Sequence, residues 1–492
     1  MATQLSIYSQ CNPQLVRLFE QAADPAKVMC VALDYAKSKH TVLLCNGRGD
    51  LLKSAFAVEN NGGGASDLLR EVRQSCQRFK IPVEHVFFGG EDYPSFAENF
   101  LRRLASDRFL IVRVNAWEAK KHRDNFQAST DSLDLLGIAR CCLHRRGQTI
   151  EELPIAYTNL RIAVRHRDHL VRQATLVSNR MHTYVDRLFP GFIAQSGMES
   201  FGEPALELMS RNFSSAEIGR RTQQSLARWL ERRRVPKPDE AARRLRQLAK
   251  GSLPPAPDQT ALLQRTLGQL VALYRGLQAS IVTVDHELGH WLARTPGAFL
   301  TSIGGMGVTL AAAVTVELGP PEKWSAVRRL CSYAGIIPRT EQTGGPERQA
   351  ITQPVQSRCN KRLKNALLQA VEKVCLWGSE DLRETAQRLE AQGAHKEFAM
   401  AKRLVRLWKY LVRNNTVYRP KPLMAANTAK ESMATYYREM WDKLIPKWRA
   451  KADLNDVFAA EHPLGRWRNM ARELYGLELP IPQPRTAKKT PR

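Results

Sequence analysis

The chain has 492 residues and a mass of 55.6 kDa, enough for about two to four domains with separate hydrophobic cores. Its net charge of +26 predicts a polyanionic partner. We favour nucleic acid over a solvated basic face or a membrane surface, because the basic residues are spread over several segments. The sequence has nine cysteines without a C-x-x-C pair, and we recognise in it neither a signal sequence nor an apolar run long enough to span a membrane. These features argue against secreted and membrane-spanning proteins, so we expect a cytoplasmic protein with free thiols.

Residues 28–150 predict an α/β domain that follows a leader at residues 1–27. The first part of this domain reads as strands at 28–34, 40–46 and 51–59, followed by a helix at 65–80. The next elements are the strand HVFFGG, the helix YPSFAENFLRRLA, the strand FLIVRVN and the helix STDSLDLLGIARCCLHRR. The order β-β-β-α-β-α-β-α is that of the RNase-H-like fold, which is also the fold of RuvC.

Four acidic residues occupy the ends of these elements. Asp34 closes the first strand, Glu91 follows HVFFGG, and Asp131 and Asp134 lie three residues apart on the last helix. Converging carboxylates are ligands for hard divalent cations, so the quartet suggests metal-dependent chemistry on a polyanion. In the alternative interpretation, the two helix acids serve the helix dipole or the surface and Glu91 is a turn residue.

Residues 151–297 predict a helical, basic middle region. Between residues 161 and 250 there are 18 Lys and Arg residues against 9 Asp and Glu residues. The Pro-rich break GSLPPAPDQ separates two long amphipathic stretches, which are coiled-coil-like candidates for oligomerisation or for contacts along a phosphate backbone. Ordinary structural helices are at least as good an interpretation of either stretch.

The middle region also contains His286-Glu287-Leu288-Gly289-His290, which spells the H-E-x-x-H motif of zinc proteases. The glycine weakens the helix, no third ligand follows at close spacing, and the basic composition does not suit a protease. We therefore regard proteolysis as a minor alternative.

Residues 298–420 predict a second compact, mostly helical domain. It opens with SIGGMGVTLAAAVTVELG, a helix-hairpin-helix-like pattern whose glycine turn could point N–H groups at a phosphate. The same pattern is also common as a packing device between apolar helices. Residues 421–492 are predicted to be a C-terminal extension that ends in a basic, disordered tail.

From about residue 28 to residue 420, the chain resembles the Piv/MooV-type DEDD transposases of the insertion-sequence family one-ten, which are recombinases guided by a bridge RNA. The N-terminal matches are VALDYAKSKHTVLL, EDYPSFAENFL and VRVNAWEAKKHRDNFQASTDSLDLLGIA. The C-terminal matches are SIGGMGVTLAAAVTVELGPPEKWSAVRRLCSYAGIIPRT, SRCNKRLKNAL and LEAQGAHKEFAMAKRLVRLWKYLVRNNTVY.

The resemblance implies a RuvC-like domain in which Asp34, Glu91, Asp131 and Asp134 bind Mg²⁺, with Mn²⁺ as an alternative. It also implies a second domain whose serine attacks DNA and forms a covalent intermediate. Thr343 stands at the place of that serine, and Ser357 is the second candidate for the nucleophile. We favour Thr343, although its β-branch restricts an in-line approach.

Further implications of the resemblance concern the partners of the chain. These are donor and target double-stranded DNA, a non-coding guide RNA, and further copies of the chain in a tetramer with composite active sites. The family is prokaryotic, and we expect association with the nucleoid. The candidate contacts to phosphate are Lys120, Lys121, His122, Arg123, Arg358, Lys361, Arg362 and Lys364.

Two other functions compete with that of an RNA-guided recombinase. One is a non-catalytic nucleic-acid-binding relative, because the motif around the nucleophile is altered. The other is a RuvC-like, structure-specific nuclease, which would leave the second domain without a role.

Overall fold

A computed structural model describes residues 11–91, 95–123, 130–150, 153–324, 326–337, 339–341, 351–353, 359–392, 395–424 and 429–482, and only the backbone of residues 95, 339–341, 351–353, 422 and 424. The chain divides into two compact units, Met1–Glu152 and Leu153–Arg492. A mixed α/β unit followed by a mostly helical one confirms the predicted fold class at that level. Among the described residues, no helix has both the length and the apolar character needed to cross a membrane.

The first unit is built on a six-stranded sheet with the order β3-β2-β1-β4-β5-β6. Strand β1 is antiparallel to β2 and parallel to β4; β2 is antiparallel to β3, β4 is parallel to β5, and β5 is antiparallel to β6. The strands are β1 Met29–Asp34, β2 Lys39–Asn46, β3 Leu51–Glu59, β4 Val86–Gly90, β5 Leu110–Arg113 and β6 Gln148–Thr149.

Helices cover both faces of this sheet, and this explains why β1 and β4 are almost entirely apolar: central strands buried on both sides need no polar face. The helices are α1 Pro13–Ala22, α2 Gly62–Phe79, α3 Glu98–Ser106, α4 Ala116–Lys121 and α5 Asp131–Leu143. One core lies under α2 and α3, and the other lies under α1 and α5. Short 3-10 turns occur at Pro25–Lys27, Val83–His85 and Ser95–Ala97.

The residues before position 28, which the sequence suggested were only a leader, contribute α1 to the packing of the first unit. Leu15, Leu18 and Phe19 are buried, and the ring of Phe19 lies 6.4 Å from that of Phe87 on β4. Apolar residues spaced three and four apart give this short helix one buried face. Asn12 begins it by accepting hydrogen bonds from the N–H groups of Gln14 and Leu15.

In the second unit, two long helices, α6 Ile155–Leu188 and α12 Pro257–Ala293, pack against each other in antiparallel orientation. The start of α6 shares a core with the end of α12, and the end of α6 shares a different core with the start of α12. Between these cores the buried Asp285 accepts a 2.5 Å hydrogen bond from Arg167 Nε and a second one from Lys451 Nζ. The contact between the two predicted amphipathic stretches is thus made within one chain.

Five short helices, which lie between α6 and α12 in the chain, pack into the core that the end of α6 shares with the start of α12. They are α7 Phe192–Gln195, α8 Glu203–Met209, α9 Ser215–Arg220, α10 Gln223–Arg232 and α11 Pro238–Gly251. Helices α10 and α11 bury alanine and leucine side chains, and exposed arginines lie on their other faces. This is the amphipathic pattern that the Arg-rich sequence predicted.

The rest of the second unit surrounds one large core. Its elements are α13 Val308–Leu318, α14 Val327–Tyr333, β7 Arg339–Glu341, β8 Ile351–Gln353, α15 Lys361–Trp377, α16 Glu380–Ala391, α17 Lys396–Asn414, α18 Lys430–Arg449, α19 Leu454–Val457 and α20 Pro463–Tyr475, with 3-10 turns at Pro296–Ser302, Pro321–Lys323 and Lys421–Met424. Trp408 of α17, Trp448 of α18 and Trp467 of α20 are all buried in it. The core therefore continues through the described part of the segment predicted as an extension.

The glycine-rich turn before α13 binds a lysine of this same unit. Lys447 Nζ donates hydrogen bonds to the carbonyl oxygens of Thr301, Ile303 and Met306, at 2.5, 3.1 and 3.2 Å. Burial lowers the pKa of Lys447 to about 8. The turn was considered for its N–H groups, and the structure shows an internal role for its carbonyl groups.

Candidate active site

The parallel pairing of β1 and β4 places two of the four acids side by side. Leu33 pairs with Gly90 in this ladder, so Asp34 and Glu91 come at neighbouring strand ends. Carboxyl ends of parallel strands meet at one edge of a sheet, and this is where ligand sites form in α/β folds. The sheet therefore brings together residues that are 57 positions apart in the chain.

Helix α5 supplies the other two acids from its first turn. Thr130 is the N-cap and accepts a 3.4 Å hydrogen bond from the N–H of Leu133, which fixes where the helix begins. The helix approaches the sheet closely at Gly89, where a Cβ atom would lie 2.4 Å from Cys142 Sγ. This close packing holds Asp131 and Asp134 near the end of β1.

Asp131 and Asp134 lie near enough to Asp34 for their charges to affect its ionisation. Burial raises the pKa of Asp34, and the negative charges of Asp131 and Asp134 raise it further. Negative charges that raise the pKa of Asp34 repel its ionised form, so a cation placed beside it would relieve that repulsion. The convergence of all four acids on one metal ion stays a prediction.

Arg123 connects the fourth acid to the other three. Its Nη2 atom lies 2.5 Å from Asp134 Oδ1 and 3.9 Å from Glu91 Oε1, and only 7% of its side chain is exposed. The positive charge of Arg123 also lowers the pKa of Asp34 and so opposes the effect of the two helix acids. Arg123 was considered as a phosphate contact, and in the structure its guanidinium group lies between acids of the quartet.

Helix α4 places Arg123 next to the quartet, and the sequence analysis missed this helix because it has only six residues. It packs against α5 where Gly137 leaves room: a Cβ atom on Gly137 would lie 2.4 Å from the carbonyl oxygen of Ala119. Lys121 of α4 has its Nζ atom 3.3 Å from the ring centroid of Trp117, whose side chain is 47% exposed. Lys120 is half-buried on the same helix.

The donor set of the quartet fits a hard divalent cation, because all four side chains offer carboxylate oxygens. Within the described parts of the chain, however, no group of three or more acidic, histidine or cysteine side chains is close enough to hold an ion as it stands. Arg123 is the cation that contacts Glu91 and Asp134 in this arrangement. Two of the carboxylates that could hold a cation are therefore also the partners of Arg123.

The candidates for the nucleophile lie in the second unit. Thr343, Ser357 and Arg358 are outside the described residues. The segment with Thr343 is flanked by β7 and β8, which pair in antiparallel fashion, with Arg339 opposite Gln353.

Helix α15 begins soon after this segment, and its first two residues are the exposed Lys361 and Arg362. Lys364, one turn further, is half-buried. Basic residues in the first turn are unfavourable for the helix dipole, which prefers anions there. A phosphate group near this turn would be stabilised by both cations.

Sequence reasoning missed Glu317 and Asn360, which contact each other near the ends of the same segment. Asn360 Nδ2 donates a 2.7 Å hydrogen bond to Glu317 Oε2. The sequence feature that could have pointed to Glu317 is that it is the one charged residue in the helix VTLAAAVTVEL.

The H-E-x-x-H sequence has no zinc-protease geometry. His286 and Glu287 are exposed, whereas His290 Nδ1 lies 3.0 Å from Asp456 Oδ2. Arg294 binds the same Asp456 carboxylate through two hydrogen bonds of 2.7 and 2.8 Å. His290 thus belongs to an ion-pair network between α12 and α19, and this accounts for it without a metal.

Two family models match the chain. Residues 31–190 match the DEDD model of the IS110 type, described as Transposase, and residues 297–387 match the model described as Transposase IS116/IS110/IS902 family. Together the matches span about half of the chain: the first contains all four acids and the second contains Thr343, Ser357 and Asn360. No curated protein matches the chain.

Proposed function

Since the chain belongs to the IS110-type transposases, which confirms the resemblance seen in the sequence, we propose that it is an RNA-guided DNA recombinase. It would cut and rejoin DNA at a Mg²⁺ site formed by Asp34, Glu91, Asp131 and Asp134. The observation that carries this proposal is that Asp34 and Glu91 follow neighbouring strand ends, while the charges of Asp131 and Asp134 raise the pKa of Asp34.

The fold proposed for the first unit is that of RNase H and RuvC. Its support is the strand order β3-β2-β1-β4-β5, with β1 antiparallel to β2 and parallel to β4 and β5 parallel to β4. The acids then follow the ends of β1 and β4 and lie in the first turn of α5, where that fold carries its metal ligands.

In the proposed reaction, Oγ1 of Thr343 attacks the phosphorus atom of a DNA phosphodiester. The hydroxyl proton leaves, the new Oγ1–P bond forms, and the P–O bond to one DNA oxygen breaks, so that this oxygen departs with a proton. The phosphodiester is conserved in the protein–DNA link and is available for rejoining. Bound Mg²⁺, held by the quartet, would neutralise charge on the phosphate oxygens.

Arg123 has a defined part in this proposal. Its guanidinium group contacts Glu91 and Asp134 and would hold these two carboxylates in place, and its N–H groups could also donate to a phosphate oxygen beside them. Lys120 and Lys121 on α4, and Lys361 and Arg362 at the start of α15, are the further proposed contacts to nucleic acid, together with Arg358.

The proposed assembly is a tetramer with composite sites, in which the acids of one copy act with the nucleophile of another. A guide RNA would select donor and target DNA by base pairing, and the protein would bind backbone and shape. The net charge of +26 suits this binding of several polyanions. We propose a location at the nucleoid of a prokaryotic cell.

The chemistry is tested by trapping a covalent protein–DNA adduct on a denaturing gel with purified protein, its copurified RNA, DNA and Mg²⁺. We expect an adduct that requires Mg²⁺ and is lost in Asp34→Ala and Thr343→Ala but kept in Ser357→Ala. Loss in Ser357→Ala and survival in Thr343→Ala would move the nucleophile to Ser357. Absence of any adduct would contradict recombination by this mechanism.

A second function is favoured by one observation: threonine stands where the family has serine. A non-catalytic relative would still bind nucleic acid but would form no covalent link. Sequencing the RNA that copurifies with the protein tests RNA guidance independently of the cutting reaction. A discrete RNA encoded beside the gene supports RNA guidance, whereas bulk cellular RNA contradicts it.

A further inference from the structure

A polar cluster lies where the chain enters and leaves the segment that carries Thr343. Tyr333 is the last residue of α14, six positions before β7, and Asn360 is the N-cap of α15, seven positions after β8. The backbone N–H of Asn360 donates a 2.9 Å hydrogen bond to the carbonyl oxygen of Tyr333. The two ends of the segment are therefore tied to each other directly.

The side chain of Asn360 joins three helices. Its Nδ2 atom donates to Glu317 Oε2 on α13 and to the hydroxyl oxygen of Tyr333 on α14, both at 2.7 Å. Its Oδ1 atom accepts a 3.0 Å hydrogen bond from the N–H of Leu363 in α15. Both donors and one acceptor position of the amide are thus used, and no other side chain of similar size offers this combination except glutamine.

Placing the carboxylate of Glu317 at this buried position costs free energy of folding. Its side chain is only 8% exposed on an otherwise apolar helix, and burial of a carboxylate is unfavourable unless it is paired. Arg165 of α6 supplies the pair through a 2.5 Å contact between Nη2 and Oε1. An apolar side chain would pack here at least as well, so stability alone does not account for the ion pair.

Strands β7 and β8 close the same segment a second time. The ladder pairs residues 339–341 with residues 351–353. A three-residue ladder is weak by itself, because isolated two-stranded pairs are marginally stable in water. Tyr333 and Asn360 flank the segment that contains the ladder. Because they are bonded to each other, the segment loses less conformational entropy when β7 and β8 pair.

We infer that Glu317, Tyr333 and Asn360 are positioning residues that hold the β7–β8 pair, the two strands that flank the proposed nucleophile Thr343 in the sequence. They contact each other and not the reacting atoms, so they act through the segment that they anchor. Because displacement of a reacting group by about 1 Å costs on the order of a hundredfold in rate, an anchor of this kind is a requirement of the chemistry. This inference rests on the proposed function in assigning the attacking hydroxyl to the segment.

The test uses two mild variants of the full-length protein in complex with its RNA and DNA. Tyr333→Phe removes one hydroxyl group, and Asn360→Ser keeps an N-cap oxygen for α15 but loses both amide donors. Tyr410→Phe is the matched control, because Tyr410 is similarly exposed, at 46% against 40% for Tyr333, and lies on α17 outside the cluster.

We expect each cluster variant to slow covalent adduct formation at saturating DNA by about tenfold, with unchanged DNA affinity and a wild-type rate in the control. The double variant should be little slower than either single one, since both break the same network. A merely structural role would change the thermal midpoint and leave the rate per folded molecule unchanged.

Hydrogen exchange of the β7 and β8 amides gives a second readout that does not depend on activity. Both variants should speed this exchange, and the control should not. If wild-type protein forms no adduct, the proposed function fails, and the exchange alone decides on the anchor: faster exchange supports it and unchanged exchange overturns it. If wild-type protein forms the adduct, an unchanged rate in both variants overturns the positioning role whatever the exchange shows.

Discussion

At the residue scale, opposing charges act on the ionisation of Asp34, the first acid of the proposed metal site. Burial and the carboxylates of Asp131 and Asp134 raise the pKa of Asp34, and Arg123 opposes them. The places of the four acids at strand ends and in the first turn of α5 were predictable from the sequence, because apolar runs precede Asp34 and Glu91 and a helical pattern contains Asp131 and Asp134. It could not show that Arg123 pairs with Glu91 and Asp134, because that pairing depends on how α4 packs against α5.

Asp34→Asn should raise the thermal midpoint of the metal-free protein at neutral pH by about 2–4 °C, because it removes one of the repelling charges. The folded-state pKa of Asp34 is raised, so its ionised form destabilises the fold above that pKa, and stability is regained as the pH falls through it. The advantage of the variant should therefore shrink toward pH 4.

Differential scanning calorimetry in the presence of a chelator measures both effects. Asp442→Asn is the control for the loss of one negative charge, since Asp442 is exposed on α18. A lower midpoint for Asp34→Asn than for wild type would show that the carboxylates do not repel each other as the structure implies.

At the element scale, the long elements were predictable from periodicity and the short ones were not. Strands β1, β2, β3, β4 and β5 and helices α2, α3 and α5 lie where the apolar patterns placed them, within a few residues. Helix α4 and strand β6 have six and two residues, too few for a periodic signal. The role of the glycine turn was also beyond local sequence, because its partner Lys447 lies more than 140 positions later.

The contact between Lys447 and the glycine-rich turn predicts how the free energy of unfolding changes with pH. Its pKa is lowered to about 8 by burial, so between about pH 8 and 10.5 the native state has released this proton while the unfolded state still binds it. The contribution of Lys447 to the free energy of unfolding therefore rises with pH through this window and is constant below it.

Chemical denaturation of wild-type protein and Lys447→Met at pH 7.5 and pH 9.5 checks this contribution. The stability of wild type relative to the variant should increase at the higher pH. Lys430→Met serves as the control, because Lys430 is exposed at the start of the same helix and should show no such change. If the difference in the free energy of unfolding between wild type and Lys447→Met is the same at both pH values, the pKa of Lys447 is not lowered in the folded protein.

At the scale of the whole molecule, the sequence predicted an α/β unit followed by a helical remainder, and the structure confirms that division. The sequence also indicated the family, since the motifs quoted for the resemblance lie within or beside the two regions that the family models match. Long-range packing was not visible: three tryptophans from α17, α18 and α20 share one core, although the last two were assigned to an extension. Local patterns do not encode which distant apolar faces meet.

The central claim is that the acidic quartet is a divalent metal site that serves DNA chemistry. Electron paramagnetic resonance of Mn²⁺ titrated into the protein–RNA–DNA complex tests it most directly, because free and bound Mn²⁺ give different signals. Wild-type protein and Asp442→Asn should bind Mn²⁺ in equal amounts, and Asp34→Asn and Asp134→Asn should each lose that binding. Equal binding by wild type and both quartet variants, or no binding by wild type, would contradict the claim.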